Sequence, residues 1–417
     1  MSKTNASGPE GAGEAKLAEL SKRDWILLPF AGILAVVLLG VSCELLANFL
    51  FPASSQGFSD CFVQDDPTGD APAKPNSVCA EQIAESGYTA EYRFNSRGNR
   101  AGMELRPKTP GTYRIVMIGS SFAMGLFVPR EKTFAALVPV ELSQRTGRNV
   151  ELYNEATGGK FRGGPFPAPG ASMQINEALS ANPDLILWIV TSNDFLTASS
   201  GESAAPGVQE NAHARDEQPA SLLNNGKLSA GVDAVLEKFR DRFDQTRAAL
   251  MLKHFLLEDE TQGKYVTSYL QNEVDAGFLK SQPSAKWQRL EQNFEREAAA
   301  YEARAKAAGV PLVAVFVPNR AQAAMISMEK RPEGYDPYRL DQELGRIVAS
   351  HGGTYLDILP DYRTIPNPEQ NYFPVDGHPD ADGHAMIAKF LVKELTDGKV
   401  QALAAKSQPQ TNMAQGK

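Results

Sequence analysis

With only three cysteines in 417 residues, the chain has no disulfide scaffold. It does not need one: at 42% hydrophobic and 22% charged residues it can bury a sizeable core. Basic stripes are missing too. The formal net charge is -8, and no Lys/Arg cluster breaks the pattern. Nucleic acid is therefore excluded as a partner, because phosphate binding depends on clustered cations that release counterions. No internal repeat is evident, which argues against a solenoid. The length exceeds one average domain, so one large domain with accessories is expected.

Charge is also absent from Trp25 to Cys43, and the apolar run resumes after Glu44 through Phe51. A helix rising about 1.5 Å per residue crosses the roughly 30 Å hydrocarbon core within this stretch, so 25-51 reads as one transmembrane helix. Lys22 and Arg23 precede it, whereas the next Lys or Arg after it is Lys74. The positive-inside bias then puts residues 1-24 in the cytoplasm and everything after the helix in the periplasm or outside the cell. The protein is expected in the inner (cytoplasmic) membrane as a single-pass chain. The first 23 residues and the tail 401-417 are too polar to order themselves. Two readings compete with an uncleaved anchor. One is a cleaved signal peptide, although no small-residue site ends the run. The other is lipidation at Cys43, whose preceding Leu-Gly-Val-Ser loosely resembles a lipobox with Gly40 where a larger aliphatic residue is usual. Cys61 and Cys79 fall in the 52-90 linker, where an oxidising compartment lets them pair; two free thiols are the alternative.

Further on, Arg114-Ile-Val-Met-Ile-Gly119 reads as a buried parallel strand. Helix near 131-145, strand Val150 to Asn154, helix near 172-180, strand Asp184 to Val190, strand Pro311 to Val317, helix 339-350, strand Thr354 to Leu356 and helix 381-394 follow. Such alternation predicts an α/β fold with a parallel sheet covered on both faces, over 91-400. It stops at about 195-306, where a helical insertion is expected. Phe239, Phe243, Tyr265, Tyr269, Phe278 and Trp287 in that segment either line a substrate groove or simply pack.

Ligands of open parallel sheets bind beyond the carboxyl ends of the strands. The strings there are Gly119-Ser-Ser121-Phe122, Asn154-Glu-Ala156-Thr-Gly158-Gly159, Thr191-Ser-Asn193-Asp194 and, before the last helix, Asp376-Gly-His378-Pro379. In order and spacing they resemble the Gly-Asp-Ser, Asn-x-Gly, Gly-x-Asn-Asp and Asp-x-His blocks of the SGNH (GDSL-like) hydrolase family. Asn95-Ser-Arg-Gly98 also resembles an upstream signature of membrane-anchored bacterial members. The resemblance covers roughly residues 90 to 396 and implies a three-layer α/β/α domain with a Ser-His-Asp triad. A serine hydroxyl needs an imidazole to take its proton and a carboxylate to orient that imidazole, parts supplied by Ser121, His378 and Asp376. For the oxyanion, the resemblance implies the N–H groups of Ser121 and Ala156 and the side-chain amide of Asn193.

Two departures matter. Ser120 stands where the family has Asp, which leaves the nucleophile ambiguous by one position. Ala156 replaces a glycine; a positive φ there would strain it, in which case Gly158 could serve after a register change. A rival reading binds metal through Asp376, His378, Asp380, Asp382 and His384. His213, His254 and His351 have no such neighbours. The chemistry calls for no cofactor. The expected function is an extracytoplasmic serine esterase or carbohydrate deacetylase acting on an acylated carbohydrate or small ester. Its alternatives are a polysaccharide O-acetyltransferase, which needs an acetyl-exporting membrane partner, and a catalytically silent polysaccharide-binding subunit.

Overall fold

The computed structural model describes residues 22–50, 57–62, 73–82, 85, 89–157, 171–198, 246–258 and 260–404. Phe239, Phe243, Gly158, Gly159, His213 and residues 1–21 and 405–417 of the tails lie outside these, whereas Gln401–Leu403, expected in the unstructured tail, forms a 3-10 turn that buries Leu403. The chain divides into two units at Leu50.

The first unit contributes one helix, α1 (Lys22–Leu50). Its segment Leu27–Phe49 has a mean hydropathy of 2.3 over 23 residues. At about 1.5 Å per residue that is roughly 35 Å, long and apolar enough to cross a membrane. Phe30, Leu34, Val36 and Phe49 are among its exposed apolar side chains.

The second unit opens with a 3-10 turn at Phe58–Cys61 and two antiparallel strands, β1 (Val78–Gln82) and β2 (Thr89–Arg93). A Cys61–Cys79 disulfide, with Cα atoms 5.9 Å apart, ties the turn to β1. These strands occupy part of the segment expected as a linker. Their sign in the sequence is short: Ala90 and Tyr92 are buried while Thr89, Glu91 and Arg93 are exposed, a period of two over five residues.

The main sheet contains β3 (Thr112–Gly119), β4 (Asn149–Asn154), β5 (Leu185–Val190), β6 (Leu312–Phe316) and β7 (Thr354–Leu356). All pair in parallel in the order β4-β3-β5-β6-β7. Every residue of β3, β5 and β6 is buried, so β5, β6 and β3 from Ile115 onward read as apolar runs.

Helices α2 (Ser121–Met124), α3 (Phe134–Thr146), α4 (Ala171–Ser180) and α5 (Ser192–Thr197) connect the first three. Then come α6 (Arg247–Glu258), α7 (Gln262–Leu270), α8 (Glu273–Ala276), α9 (Ala285–Ala307), α10 (Arg320–Ser327), α11 (Arg339–Ser350), α12 (Leu359–Tyr362) and α13 (Ala381–Thr396). From β3 the chain steps one way to β4, then back across β3 to β5 and onward to β6 and β7. With right-handed crossovers, this reversal puts α3 on one face and α4, α9 and α11 on the other. The contacts agree: α3 packs on α13, and α9 packs on α4 and α11. This is the three-layer α/β/α class that the alternation predicts.

The expected insertion ends inside that architecture. Trp287, Glu291, Phe294, Ala298, Tyr301 and Ala305 form one buried stripe on α9 at spacings of three and four. Helix α9 is thus the crossover that feeds β6. Its many charged residues lie mostly off the stripe, which is why the segment reads as accessory.

Candidate active site

The direction of the connections reverses between β3 and β5, and an open sheet presents its crevice at such a switch point. Strand β3 ends at Gly119, whose φ is +146°. A Cβ there would stand 2.6 Å from the Ile189 carbonyl oxygen on β5, so only glycine lets the two strands close up beside Ser121. Ser120 is extended and caps α2, which makes Ser121 the first helical residue. Its N–H therefore has no partner within the helix. The His378 Nε2 atom lies 2.7 Å from Ser121 Oγ. Ser120 Oγ faces Asp194 Oδ2 at 3.4 Å instead. The geometry brings the imidazole to the second serine of the pair.

The turn after α2 is held by Arg100, which is 2% exposed. Its guanidinium donates to the carbonyls of Met124 (3.2 Å), Gly125 (2.5 Å), Val128 (2.7 Å) and Glu91 (3.1 Å). It also lies 4.3 Å above the Tyr92 ring, whose hydroxyl accepts the Phe127 N–H at 2.7 Å. Burial lowers the Arg100 pKa to about 10, which still leaves it charged at neutral pH. Arg100 escapes a reading of the sequence because its four acceptors are backbone groups from two separate segments.

The acid–base pair sits on a closed loop. Phe373 N–H donates to the His378 carbonyl, and Gly377 N–H to the Phe373 carbonyl, both at 2.9 Å. Gly377, at φ +84°, makes the turn between Asp376 and His378. Asp376 Oδ1 accepts the His378 N–H at 3.1 Å and also makes a short hydrogen bond to Nδ1. The ring is flanked by Phe122 at 4.8 Å and by Phe127, perpendicular to it, at 5.3 Å. Ser121, His378 and Asp376 thus form one hydrogen-bonded line.

The remaining members of the metal reading turn elsewhere. Asp380 Oδ1 caps α13 by accepting the Gly383 N–H at 2.8 Å. His384 is buried, stacks on Phe134 and accepts its N–H at 3.3 Å; burial depresses its pKa to about 3, so it stays neutral. Among the described residues no three potential ligands converge.

Asn193 sits on α5 at the mouth of the site, exposed, with no hydrogen-bond partner for its side chain among the described residues. Helix α5 is fixed by a capping box in which Asp194 Oδ2 accepts from Thr191 N–H (2.6 Å) and Oγ1 (2.8 Å). Phe195 stacks on Phe294 of α9 at 4.0 Å. Burial raises the Asp194 pKa, opposed by its hydrogen bonds from Thr191 and Ser120. Ala156 differs from the expectation. Its φ is outside the positive region, so it is unstrained, but its N–H donates to Asn154 Oδ1 at 2.9 Å and is already committed. The structure brings Ser121 and Asn193 to the crevice and leaves Ala156 N–H turned into its own strand end.

A cavity of about 690 Å³ opens over the triad. Tyr265, Tyr269 and Phe278 line it together with Phe122, Phe127 and Leu257. Trp287 instead packs on Phe278 at 5.9 Å, inside the α9 stripe. Polar groups at the wall include Asn193, Asp275, Asn319 and Arg320. On β1, the Glu81 carboxyl is pushed up to about 7 by burial, with Asp376 adding to the rise and His378 opposing it.

No family model and no curated protein sequence matches the chain. Among solved structures it is similar to TesA, at 12% identity over 68% of this chain and 97% of that one, with a TM-score of 0.32. It is also similar to a lipase/acylhydrolase from Enterococcus faecalis, at 13% identity over 69% and 96% of the two chains and a TM-score of 0.31. A protein from Lactobacillus plantarum aligns at 13% identity over 68% and 96%, with a TM-score of 0.33. At such scores these likenesses say nothing about function, and the site stands on its own distances.

Proposed function

We propose that the protein is a serine acyl-ester hydrolase, an esterase or carbohydrate deacetylase, anchored by α1 with its catalytic domain outside the cytoplasm. One observation carries the reading: His378 Nε2 lies 2.7 Å from Ser121 Oγ while its other ring nitrogen is bonded to Asp376. Ser121 Oγ attacks the ester carbonyl as His378 Nε2 takes its proton, and Asp376 stabilises the resulting imidazolium. The carbonyl oxygen becomes an oxyanion, received by the Ser121 N–H and the Asn193 amide. Collapse breaks the bond to the alcohol oxygen, which leaves with the proton from His378. Water then attacks the acyl-serine with His378 again as base, releasing the acid and restoring Ser121.

Lys22 and Arg23 at the start of α1, with no Lys or Arg after it until Lys74, support a cytoplasmic N-terminus. The Cys61–Cys79 disulfide fits an oxidising compartment on the far side. The roomy, aromatic-lined cavity also favours a second reading, in which a sugar hydroxyl replaces water as acceptor and an acetyl-exporting membrane protein supplies the acyl group.

The test uses the full-length protein in detergent, with p-nitrophenyl acetate and a fluorophosphonate probe. Wild type is expected to be labelled and to turn over ester, and Ser121→Ala to do neither. Labelling that persists in Ser121→Ala sinks the nucleophile assignment. Labelling with negligible turnover in water selects the transferase, and absence of any labelling selects a silent binding subunit.

A further inference from the structure

The carboxylate of Glu85 lies against the acid–base loop and takes no part in the proton transfers above. Its Oε1 accepts the Val375 N–H at 2.7 Å and its Oε2 accepts the Asp376 N–H at 3.1 Å. The Glu85 side chain itself is 3% exposed, while Val375 is half-buried and Asp376 exposed. His254 Nδ1 of α6 stands 3.5 Å from the same Oε1. The preceding residue of the loop is held as well: Arg320 Nη1 donates to the Pro374 carbonyl at 2.6 Å, while its Nη2 and Nε bind the carbonyls of Leu257 and Glu369. Three consecutive residues, Pro374, Val375 and Asp376, therefore have their backbone polar groups gripped by one guanidinium and one carboxylate. The carboxylate comes from the connection between β1 and β2, about 290 residues away in the chain. Strand β1 is itself anchored by the Cys61–Cys79 disulfide.

We propose that Glu85 is a positioning residue for Asp376, which makes the stapled N-terminal hairpin a working part of the active site. The proposal rests on the triad reading. Asp376 reaches His378 through a turn of two residues, so a backbone shift at 376 moves the carboxylate, the imidazole and hence Nε2 together. A misplacement of about 1 Å at such a point costs on the order of a hundredfold in rate. With Glu85 removed, the Val375 and Asp376 N–H groups lose their common acceptor, and the loop keeps only the Arg320 bond and its own internal hydrogen bonds.

Full-length wild type, Glu85→Ala and Glu85→Gln are compared in detergent by three readouts. These are the rate of fluorophosphonate labelling, kcat and KM on p-nitrophenyl acetate, and hydrogen exchange of the peptide containing Val375 and Asp376. Glu85→Ala is expected to slow labelling about 10- to 100-fold. It should lower kcat by a similar factor at unchanged KM, and speed exchange at the loop. Glu85→Gln keeps one carbonyl acceptor and should fall between the two. Labelling within twofold of wild type in Glu85→Ala overturns the proposal, and so does a loss in Glu85→Gln equal to that in Glu85→Ala. If wild type itself is not labelled, the triad reading fails, and the brace is judged by exchange: an unchanged rate at Val375 and Asp376 in Glu85→Ala overturns it.

Discussion

Ser120 and Ser121 are neighbours with different partners, one 3.4 Å from Asp194 and the other 2.7 Å from His378. Ser120→Ala deletes a long bond to a carboxylate that Thr191 already satisfies, so it should keep probe labelling within a few-fold of wild type. Glu81 gives the site a pH signature. Its carboxyl, raised to about 7 by burial and by Asp376, is neutral below that pH and charged above it. As pH rises, the new negative charge beside Asp376 and His378 favours the imidazolium. A plot of kcat/KM against pH is expected to change shape near 7 in Glu81→Gln relative to wild type; superimposable profiles would rule the effect out. Ser121, Asn193, Asp376 and His378 are legible in the sequence because each sits in a short string at a strand or loop end. Glu81, Glu85 and Arg100 are not, since their roles arise only when a polar segment pairs as a hairpin and meets backbone groups far along the chain.

Among the elements, α9 does two jobs. Its stripe covers β5 and β6, and Phe294 stacks on both Trp188 of β5 and Phe195 of α5. Phe294→Ala opens a cavity in that stack and should cost about 3–5 kcal/mol in denaturant unfolding, typical of a deleted core aromatic. The strands were readable to within a few residues, because strands buried on both faces leave continuous apolar runs. The hairpin was not, because five-residue strands among Pro and Asp carry too little pattern, and the crossover helix was disguised by its charged outer surface. For Ala156 the residue was legible and its hydrogen bond was not: whether an N–H points to the crevice or to Asn154 Oδ1 depends on the backbone path after β4.

For the whole molecule, four carboxyls besides Glu81 stand out. Burial, first among the causes in each case, pushes Glu155, Glu297, Glu302 and Asp341 up to about 7. Their unfolded-state values are near 4.5 for Glu and 3.8 for Asp. Between those values and 7 each of these four groups is more protonated in the folded protein than in the unfolded chain, so the stability they contribute falls as pH rises through this window, opposed up to about 6.5 by the neutral His384. The melting temperature is expected to drop from pH 5.5 to pH 8, and to drop less in Glu302→Gln, because the buried Oε1 of Glu302 has no hydrogen-bond partner among the described residues. An equal or steeper drop in that variant would count against the assignment.

The triad is spread widely along the chain. Ser121 leaves the first strand of the sheet and His378 precedes the last helix, 257 residues later. At synthesis rates of about 5–20 residues per second, the nucleophile emerges on the order of ten to fifty seconds before its base. During that interval Ser121 is an inert hydroxyl on an unfinished sheet. On the proposed reading, reactivity arrives only when the last β–α unit closes over α3, so a nascent or truncated chain carries no active serine.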